Sequence, residues 1–262
     1  MDEPVLRRDA GAVAWLTLNR PAQLNALDYP TLDGLAAALD AIEAEDAIRV
    51  VVLTGAGDKA FCAGADIKGF QPTVAAGPAA TLRDFVRRGQ RVTSRLENFP
   101  KPVIAAVNGL CLGGGAELME ACHLAIASER ARFSQPEVKL GLVPCFGGSQ
   151  RLPRLIGARR AKELMLLGGW LTAEQALAWG LVNRVAPRGT VAQATLDLAR
   201  ELAAKSGAAS RTAKLLVDRG LDVDLRTGLE LEKRKVAEHM RTDDAAAGLR
   251  AFMTRGRKKE SR

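Results

Sequence analysis

The sequence predicts an α/β fold in which a strand-bearing region precedes a helical one. Apolar or β-branched runs closed by turn signals occur at residues 13–18, 50–54 and 103–107, and each predicts a buried strand. Helical stretches separate these runs, which predicts parallel strands joined by right-handed crossovers. Aromatic residues are few, with seven Phe, three Trp and one Tyr in 262 residues, and this favours helix-rich packing over a β-sandwich.

The helices are predicted from apolar spacing and from proline and glycine boundaries. They are expected at residues 29–47, 81–98, 114–122, 150–156, 158–167, 172–179, 191–205, 210–219 and 229–240. Beyond residue 149 the chain is almost wholly helical by this criterion. Residues 69–80 contain two prolines and two glycines, which predicts a mobile loop.

Charge and cysteine usage limit the class of protein. The net charge of +8 favours anionic ligands or nucleic acid, although the basic run at residues 255–262 is equally explained as a solvated tail.

No zinc or calcium spacing occurs, so no metal is expected. Without an apolar signal core or a run of about 20 apolar residues, a cytoplasmic protein is expected. Buried free thiols in a reducing compartment are predicted at Cys62, Cys111, Cys122 and Cys145.

A glycine run ahead of Glu117 is the most informative motif. Residues 108–115 follow a predicted strand and lead into a helix, so their free N–H groups lie at the positive helix end and can hold an oxyanion. Glu117 follows Gly114 by three residues, which puts donor and carboxylate on one face. Alternatively, Glu117 only complements the helix dipole and the glycines only allow close packing.

A second carboxylate, Glu137, follows Pro136 in a predicted turn. Two neighbouring carboxylates acquire unequal pKa values, which supplies an acid and a base at neutral pH. The small residues at 63–68 predict a loop whose backbone N–H can approach a substrate oxygen closely. Together these segments predict thioester chemistry through an enolate. Taken alone, Glu137 is equally well explained as a solvated loop residue.

The sequence lacks residues that other catalytic systems require. Residues 109–115 also fit the dinucleotide loop of short-chain dehydrogenases, but the Tyr-x3-Lys pair is missing because Asp33 lies four residues after Tyr29. Only His123 and His239 could anchor a Ser/His/Asp or Cys/His device. His123 opens an apolar run, where a hydrogen-bonded core histidine is the better interpretation.

Several motifs occur in order along nearly the whole chain. They are LNRPAQLNAL at residues 18–27, FCAGADIK at 61–68, KPVIAAVNG at 101–109 and GGSQRL at 147–152. In these motifs the sequence resembles the crotonase superfamily, and within it the enoyl-CoA hydratases. The resemblance implies a ClpP-like crotonase spiral of ββα units at residues 1–200, with the CoA site and catalytic glutamates. It further implies a C-terminal helical trimerisation region at residues 201–262 that covers the site, with trimers commonly paired into hexamers.

The resemblance also implies roles for individual residues. The backbone N–H groups of Ala65 and Gly114 would form the oxyanion hole for the thioester carbonyl. Glu117 and Glu137 would hold one water; Glu117 would be the base as this water attacks the β-carbon, and Glu137 would supply the α-proton. CoA is part of the substrate, so no separate cofactor is implied. The CoA and substrate path would be lined by Leu24, Ala63, Ala65, Asp66, Ile67, Lys68, Gly114 and Cys145.

Three departures from the family pattern affect these expectations. Cys145 stands where hydratases usually have a glycine whose N–H helps hold the water, so pocket shape and acyl preference are open. His123 stands where aspartate is usual, which leaves the local hydrogen bonding open. A near-terminal Phe-Lys pair is lacking, and its CoA-phosphate contacts are not transferred.

The expected activity is that of a hydro-lyase, an enoyl-CoA hydratase of fatty acid β-oxidation. Isomerases of this superfamily generally keep only the later carboxylate, so two glutamates favour hydration. The alternatives are isomerisation, or hydration or dehydration of a carnitinyl-, methylglutaconyl- or polyketide-type acyl-CoA. An RNA-binding relative is not favoured, because a glutamate pair gives a binding module no evident benefit.

Overall fold

The computed structural model describes residues 3–260, and over this range the α/β prediction is confirmed. The strands are β1 (Val5–Ala10), β2 (Val13–Leu18), β3 (Val50–Gly55), β4 (Ala60–Cys62), β5 (Val103–Val107), β6 (Leu110–Leu112), β7 (Leu124–Ser128), β8 (Arg132–Ser134), β9 (Leu171–Thr172) and β10 (Arg184–Ala186). The α-helices are α1 (Tyr29–Glu43), α2 (Ile67–Ala75), α3 (Pro78–Ala80), α4 (Arg87–Glu97), α5 (Gly114–Glu120), α6 (Gly148–Ile156), α7 (Ala158–Leu167), α8 (Ala173–Trp179), α9 (Val191–Ala203), α10 (Gly207–Gly220), α11 (Leu225–His239) and α12 (Asp243–Glu260). Two 3₁₀ turns at Pro21–Gln23 and Glu137–Leu140 and a π-helix at Thr81–Val86 complete the elements described.

The chain divides into two units, Met1–Arg200 and Glu201–Arg262. In the first unit the larger sheet has the order β1-β2-β3-β5-β7-β10, and the smaller one has the order β4-β6-β8-β9. Strand β1 pairs antiparallel with β2, and β9 pairs antiparallel with β8. The other neighbours pair parallel, as the alternation of strands and helices predicts.

Three successive ββα units put one strand into each sheet. The pairs β3 and β4, β5 and β6, and β7 and β8 each give their first strand to the larger sheet and their second to the smaller. Helices α2, α5 and α6 follow these pairs. Strand β5 is buried along its whole length, as expected of a central parallel strand covered on both faces. The middle ββα unit, formed by β5, β6 and α5, therefore contains the glycine run.

The prediction of a mobile loop at residues 69–80 is wrong, because most of this segment is helical. Asp66 caps α2 with its side chain. The ring of Phe70, which is 2% exposed, lies 4.7 Å from the Tyr29 ring and 4.3 Å from the Phe85 ring. These buried aromatic contacts stabilise the helix despite its proline and glycine residues.

Several strands and one helix were not predicted from the sequence, for local reasons. Strands β4, β6, β8 and β10 are three residues long, which is too short to show a periodic pattern. Strand β1 is an edge strand with charged residues, among them Arg7, which pairs with Asp9 and Glu45. Helix α1 ends at Glu43, before the expected residue 47, and α12 was not predicted.

His123 and the cysteines show how the core accommodates polar atoms. His123 Nδ1 accepts a hydrogen bond from the Val103 N–H at 2.8 Å, and its Nε2 lies 2.9 Å from the carbonyl oxygen of Glu97. The prediction of a hydrogen-bonded structural histidine is therefore confirmed. The four cysteines are free thiols; Cys62 and Cys111 are buried as predicted, whereas the other two are only half-buried.

The second unit contains the last three residues of α9 and the helices α10, α11 and α12. Helices α10 and α11 contain no buried residue, and large apolar side chains such as Leu221 and Leu225 are 74% and 79% exposed. The side chains of the basic run at residues 255–262 lie outside the described part of the structure. Within residues 3–260, no helix is both long and apolar enough to cross a membrane.

Candidate active site

Glu117 lies in the first turn of α5, where backbone groups hold its carboxylate. Gly113 precedes the helix with φ 49°, a left-handed conformation that favours glycine. Glu117 is 1% exposed, and its Oε1 accepts hydrogen bonds from the N–H groups of Phe146 and Gly148, each at 2.7 Å. The segment that leads into α6 therefore fixes the orientation of this carboxylate.

Glu137 begins the 3₁₀ turn that follows β8. A Cβ added at Gly113 would lie 2.8 Å from Glu137 Oε1, so this carboxyl lies against the turn ahead of α5. Its Oε2 is buried and has no hydrogen-bond partner within residues 3–260. Glu137 thus lies against the turn that leads to Glu117, and the charge of Glu117 acts on it.

Burial changes the ionisation of both carboxyls. It raises the pKa of Glu117, and the N–H groups of Gly148 and Phe146 partly offset this increase. Burial also raises the pKa of Glu137 to about 7, and the nearby charge of Glu117 acts in the same direction. Two carboxyls with unequal stabilisation of their charged forms can act as base and acid near neutral pH.

The loop after β4 meets the start of α5. Gly64 has φ 99°, and a Cβ there would lie 3.0 Å from the Leu112 carbonyl oxygen and 3.5 Å from the Gly114 nitrogen. The N–H groups of Ala65 and Gly114 have no acceptor among the backbone contacts of the described residues. Two such donors on touching segments can bind an oxygen that carries negative charge.

The remaining residues predicted for the substrate path lie along this loop. The carbonyl oxygen of Leu24 accepts a hydrogen bond from the Ala63 N–H at 3.0 Å. Asp66 pairs with Arg20 at 2.9 Å, and this hydrogen bond lowers the pKa of Asp66. The first turn of α2 continues from Asp66 with Ile67 and Lys68, both exposed.

Cys145 and Phe146 precede α6, and a Cβ at Gly114 would lie 3.2 Å from the Phe146 ring. Burial, followed by the charges of Glu117 and Glu137, raises the pKa of the Cys145 thiol to about 12, so this thiol stays protonated and is a poor nucleophile. The Phe146 ring is 1% exposed and packs so closely on Gly89 of α4 that a Cβ there would overlap it. Phe146 therefore packs its ring between Gly89 and Gly114 and donates its N–H to the Glu117 carboxylate.

Three residues that shape this site were missed in the sequence. Glu120 follows Glu117 by three residues, so helical spacing could have placed it on the same face. Gln135 Nε2 donates a hydrogen bond to Glu120 Oε1 at 3.0 Å. A Cβ at Gly148 would lie 2.8 Å from Glu117 Cγ and 2.9 Å from Gln135 Nε2, a constraint that no sequence spacing reveals.

Comparison with known proteins assigns the family. The family model described as Enoyl-CoA hydratase/isomerase matches residues 8–260. The chain belongs to this family. The short-chain-enoyl-CoA hydratase of Clostridium acetobutylicum is 39% identical over 249 residues, which cover 95% of this chain and 94% of the relative. The crotonyl-CoA hydratase of Syntrophomonas wolfei is 37% identical, with 96% and 95% covered.

Solved structures of the enoyl-CoA hydratase/isomerase family agree with the fold described above. The crystal structure of the enoyl-CoA hydratase from Bacillus anthracis matches with a TM-score of 0.90 and 40% identity, and 96% of each chain is covered. The resemblance to the crotonase superfamily is therefore confirmed, and so is the crotonase fold class. Among the side chains that the structure describes, no group of three or more His, Cys, Asp or Glu residues is arranged to hold a metal ion.

Proposed function

We propose that the protein is an enoyl-CoA hydratase that reversibly adds water in the syn sense to a trans-2-enoyl-CoA, giving a 3-hydroxyacyl-CoA. The observation that carries this proposal is that Glu137 lies against the Gly113 turn that leads to Glu117, close enough for the charge of Glu117 to act on it. The unpaired N–H of Gly114 lies one residue further along the same turn. A base, an acid and a donor for an oxyanion are thus within one small region.

The Ala65 and Gly114 N–H groups would bind the thioester carbonyl and stabilise the enolate that forms when the β-carbon is attacked. Removal of one such donor typically costs about 100-fold or more in rate. The contact between Gly64 and the start of α5 supports this assignment because it keeps the two donors close. Leu24, Ala63, Asp66, Ile67, Lys68 and Cys145 would line the CoA and acyl path, and CoA would enter only as part of the substrate.

The two carboxyls would divide the proton transfers. Glu117 would take a proton from the attacking water, because backbone donors stabilise its charged form. Glu137 would give a proton to the α-carbon, because its pKa of about 7 leaves a protonated fraction at neutral pH. After product release, exchange with solvent would remove the proton from Glu117 and return one to Glu137.

The substrate would be an enoyl-CoA with a short acyl chain, as the names of the relatives suggest. A role in β-oxidation and a cytoplasmic location fit this chemistry. Assembly through residues 201–262 into a trimer or hexamer would cover their exposed apolar side chains, and sedimentation would measure the number of subunits.

The direct test uses crotonyl-CoA and follows the absorbance of the conjugated enoyl thioester, with the product identified by mass. The wild type should form 3-hydroxybutyryl-CoA rapidly, whereas a Glu117→Gln, Glu137→Gln double variant should not. Absence of a 3-hydroxy product from every linear enoyl-CoA in a panel would contradict the proposal. A double-bond isomer as the sole product would assign isomerisation instead.

A further inference from the structure

A third carboxyl, Glu120, lies behind the two just described, and no step above uses it. It is 7% exposed and follows Glu117 on α5. Its partner Gln135 is 1% exposed and lies two residues before Glu137. The hydrogen bond of 3.0 Å from Gln135 Nε2 to Glu120 Oε1 therefore links the helix that carries Glu117 to the segment that carries Glu137.

Each partner in this contact is left with one buried acceptor. Glu120 Oε2 and Gln135 Oε1 have no hydrogen-bond partner within residues 3–260. An ionised carboxylate offers acceptors only, whereas a protonated carboxyl also offers one O–H donor. A proton on Glu120 Oε2 would give this pair of side chains the donor that it lacks. Without it, two buried acceptors would keep the full cost of their desolvation.

The charges around Glu120 also disfavour its ionised form. The groups that face it are Glu117 on α5, Glu137 in the 3₁₀ turn, Cys111 on β6 and Arg151 on α6. The cation among them, Arg151, is already paired with Glu97 at 2.7 Å. Burial first, and then the charge of Glu117, raise the pKa of Glu120 to about 8.

We propose that Glu120 is a neutral positioning residue whose carboxylic acid pairs with the Gln135 amide and fixes the spacing between Glu117 and Glu137. This acid–amide pair deepens the proposed hydration, and its effect on rate rests on that function. The packing at Gly148 supports the proposal, because the Gln135 amide and the Glu117 side chain both contact this glycine. If Gln135 moved, it would displace the Glu117 side chain near Gly148. It would also shift the turn that carries Glu137.

The matched variants are Glu120→Gln and Glu120→Leu. An amide at position 120 offers both a donor and an acceptor to Gln135, as the neutral acid does, whereas leucine offers neither. Infrared spectra of the ligand-free full chain at neutral pH should contain a protonated-carboxyl band that Glu120→Gln lacks. Both spectra are recorded in a Glu137→Gln background, so that Glu137 does not contribute. No such difference would mean an ionised Glu120 and would overturn the proposal.

Kinetics separate positioning from mere stability. With crotonyl-CoA, Glu120→Leu should have a kcat about tenfold below that of Glu120→Gln, with a smaller change in KM, because one buried hydrogen-bond partner is lost. Wild-type kcat should show a loss as pH rises through about 8, where Glu120 ionises, and Glu120→Gln should lack this step. Equal kcat in the two variants, or an unchanged step in Glu120→Gln, would count against a positioning role.

The two proposals fail in different ways. If the infrared band is present but no enoyl-CoA is hydrated, the acid–amide pair stands and the proposed hydration fails. If hydration is rapid and the band is absent, the pair alone fails. Should the leucine variant not fold, the spectrum and the pH profile of Glu120→Gln still decide the question.

Discussion

The two carboxyl-bearing segments of the site differ in what the backbone provides. On α5, Glu117 accepts hydrogen bonds from two backbone N–H groups at 2.7 Å. In the turn after β8, Glu137 lies against a glycine, and its Oε2 has no partner within the described residues 3–260. Two backbone donors partly offset the effect of burial on the pKa of Glu117, whereas burial raises the pKa of Glu137 to about 7. Backbone donors, rather than residue type, would divide the base from the acid.

The largest effect is expected from Glu117→Gln, which keeps the shape and removes the base. The amide oxygen can still accept from Phe146 and Gly148, so the fold should be kept. The kcat for crotonyl-CoA should fall by about 10⁴-fold, the upper range for a general base. Glu163→Gln on the exposed face of α7 is the matched control and should leave kcat unchanged. Retention of activity in Glu117→Gln would contradict the assignment of Glu117 as the base.

A smaller loss is expected from Glu137→Gln, because solvent can still protonate the enolate carbon slowly. The kcat should fall by about 10²- to 10³-fold. Incorporation of solvent deuterium at the α-carbon during the reverse reaction measures the same step and should fall in parallel. If this variant loses more activity than Glu117→Gln, the assignment of acid and base is reversed.

The pH dependence should reflect the unequal ionisation. Glu137 must be protonated to act as an acid, so kcat/KM should decrease as pH rises through its pKa of about 7. Glu117 must be charged to act as a base, so activity should also decrease at low pH, below the raised pKa of Glu117. Because the Glu117 charge helps to raise the pKa of Glu137, Glu117→Gln should lower the Glu137 pKa, which carboxyl NMR would measure. An unchanged Glu137 pKa would show that the two groups are not coupled.

The smallest effect is expected from Gly148→Ala, which removes neither carboxyl. A Cβ at Gly148 would lie 2.8 Å from Glu117 Cγ, so the base must shift. The expected cost is about 1–3 kcal/mol in unfolding free energy, as for other overpacked sites, and a lower kcat. Gly169→Ala is the control, because a Cβ there meets nothing within 4 Å. Equal unfolding midpoints for the two variants would show that the contact at Gly148 is not tight.

The sequence was informative where one local rule sufficed. The buried strands at residues 13–18 and 103–107 match β2 and β5, because long apolar runs have few alternatives. The glycine turn ahead of Glu117 was also predictable, since helix ends expose N–H groups. The Glu120 contact with Gln135 was not, because it joins two segments through space. The helical segment after Asp66 was missed because distant aromatic rings, not local propensity, stabilise it.

Phe146 connects two properties that are usually considered separately. Its ring fills the space beside Gly89 and Gly114, while its N–H holds the Glu117 carboxylate. In the proposed hydratase, a smaller side chain at this position would also move the backbone that orients the base. Substrate range and turnover would therefore be coupled in a single residue of that hydratase, and variants selected for bulkier acyl groups should need a compensating change at position 89 or 114.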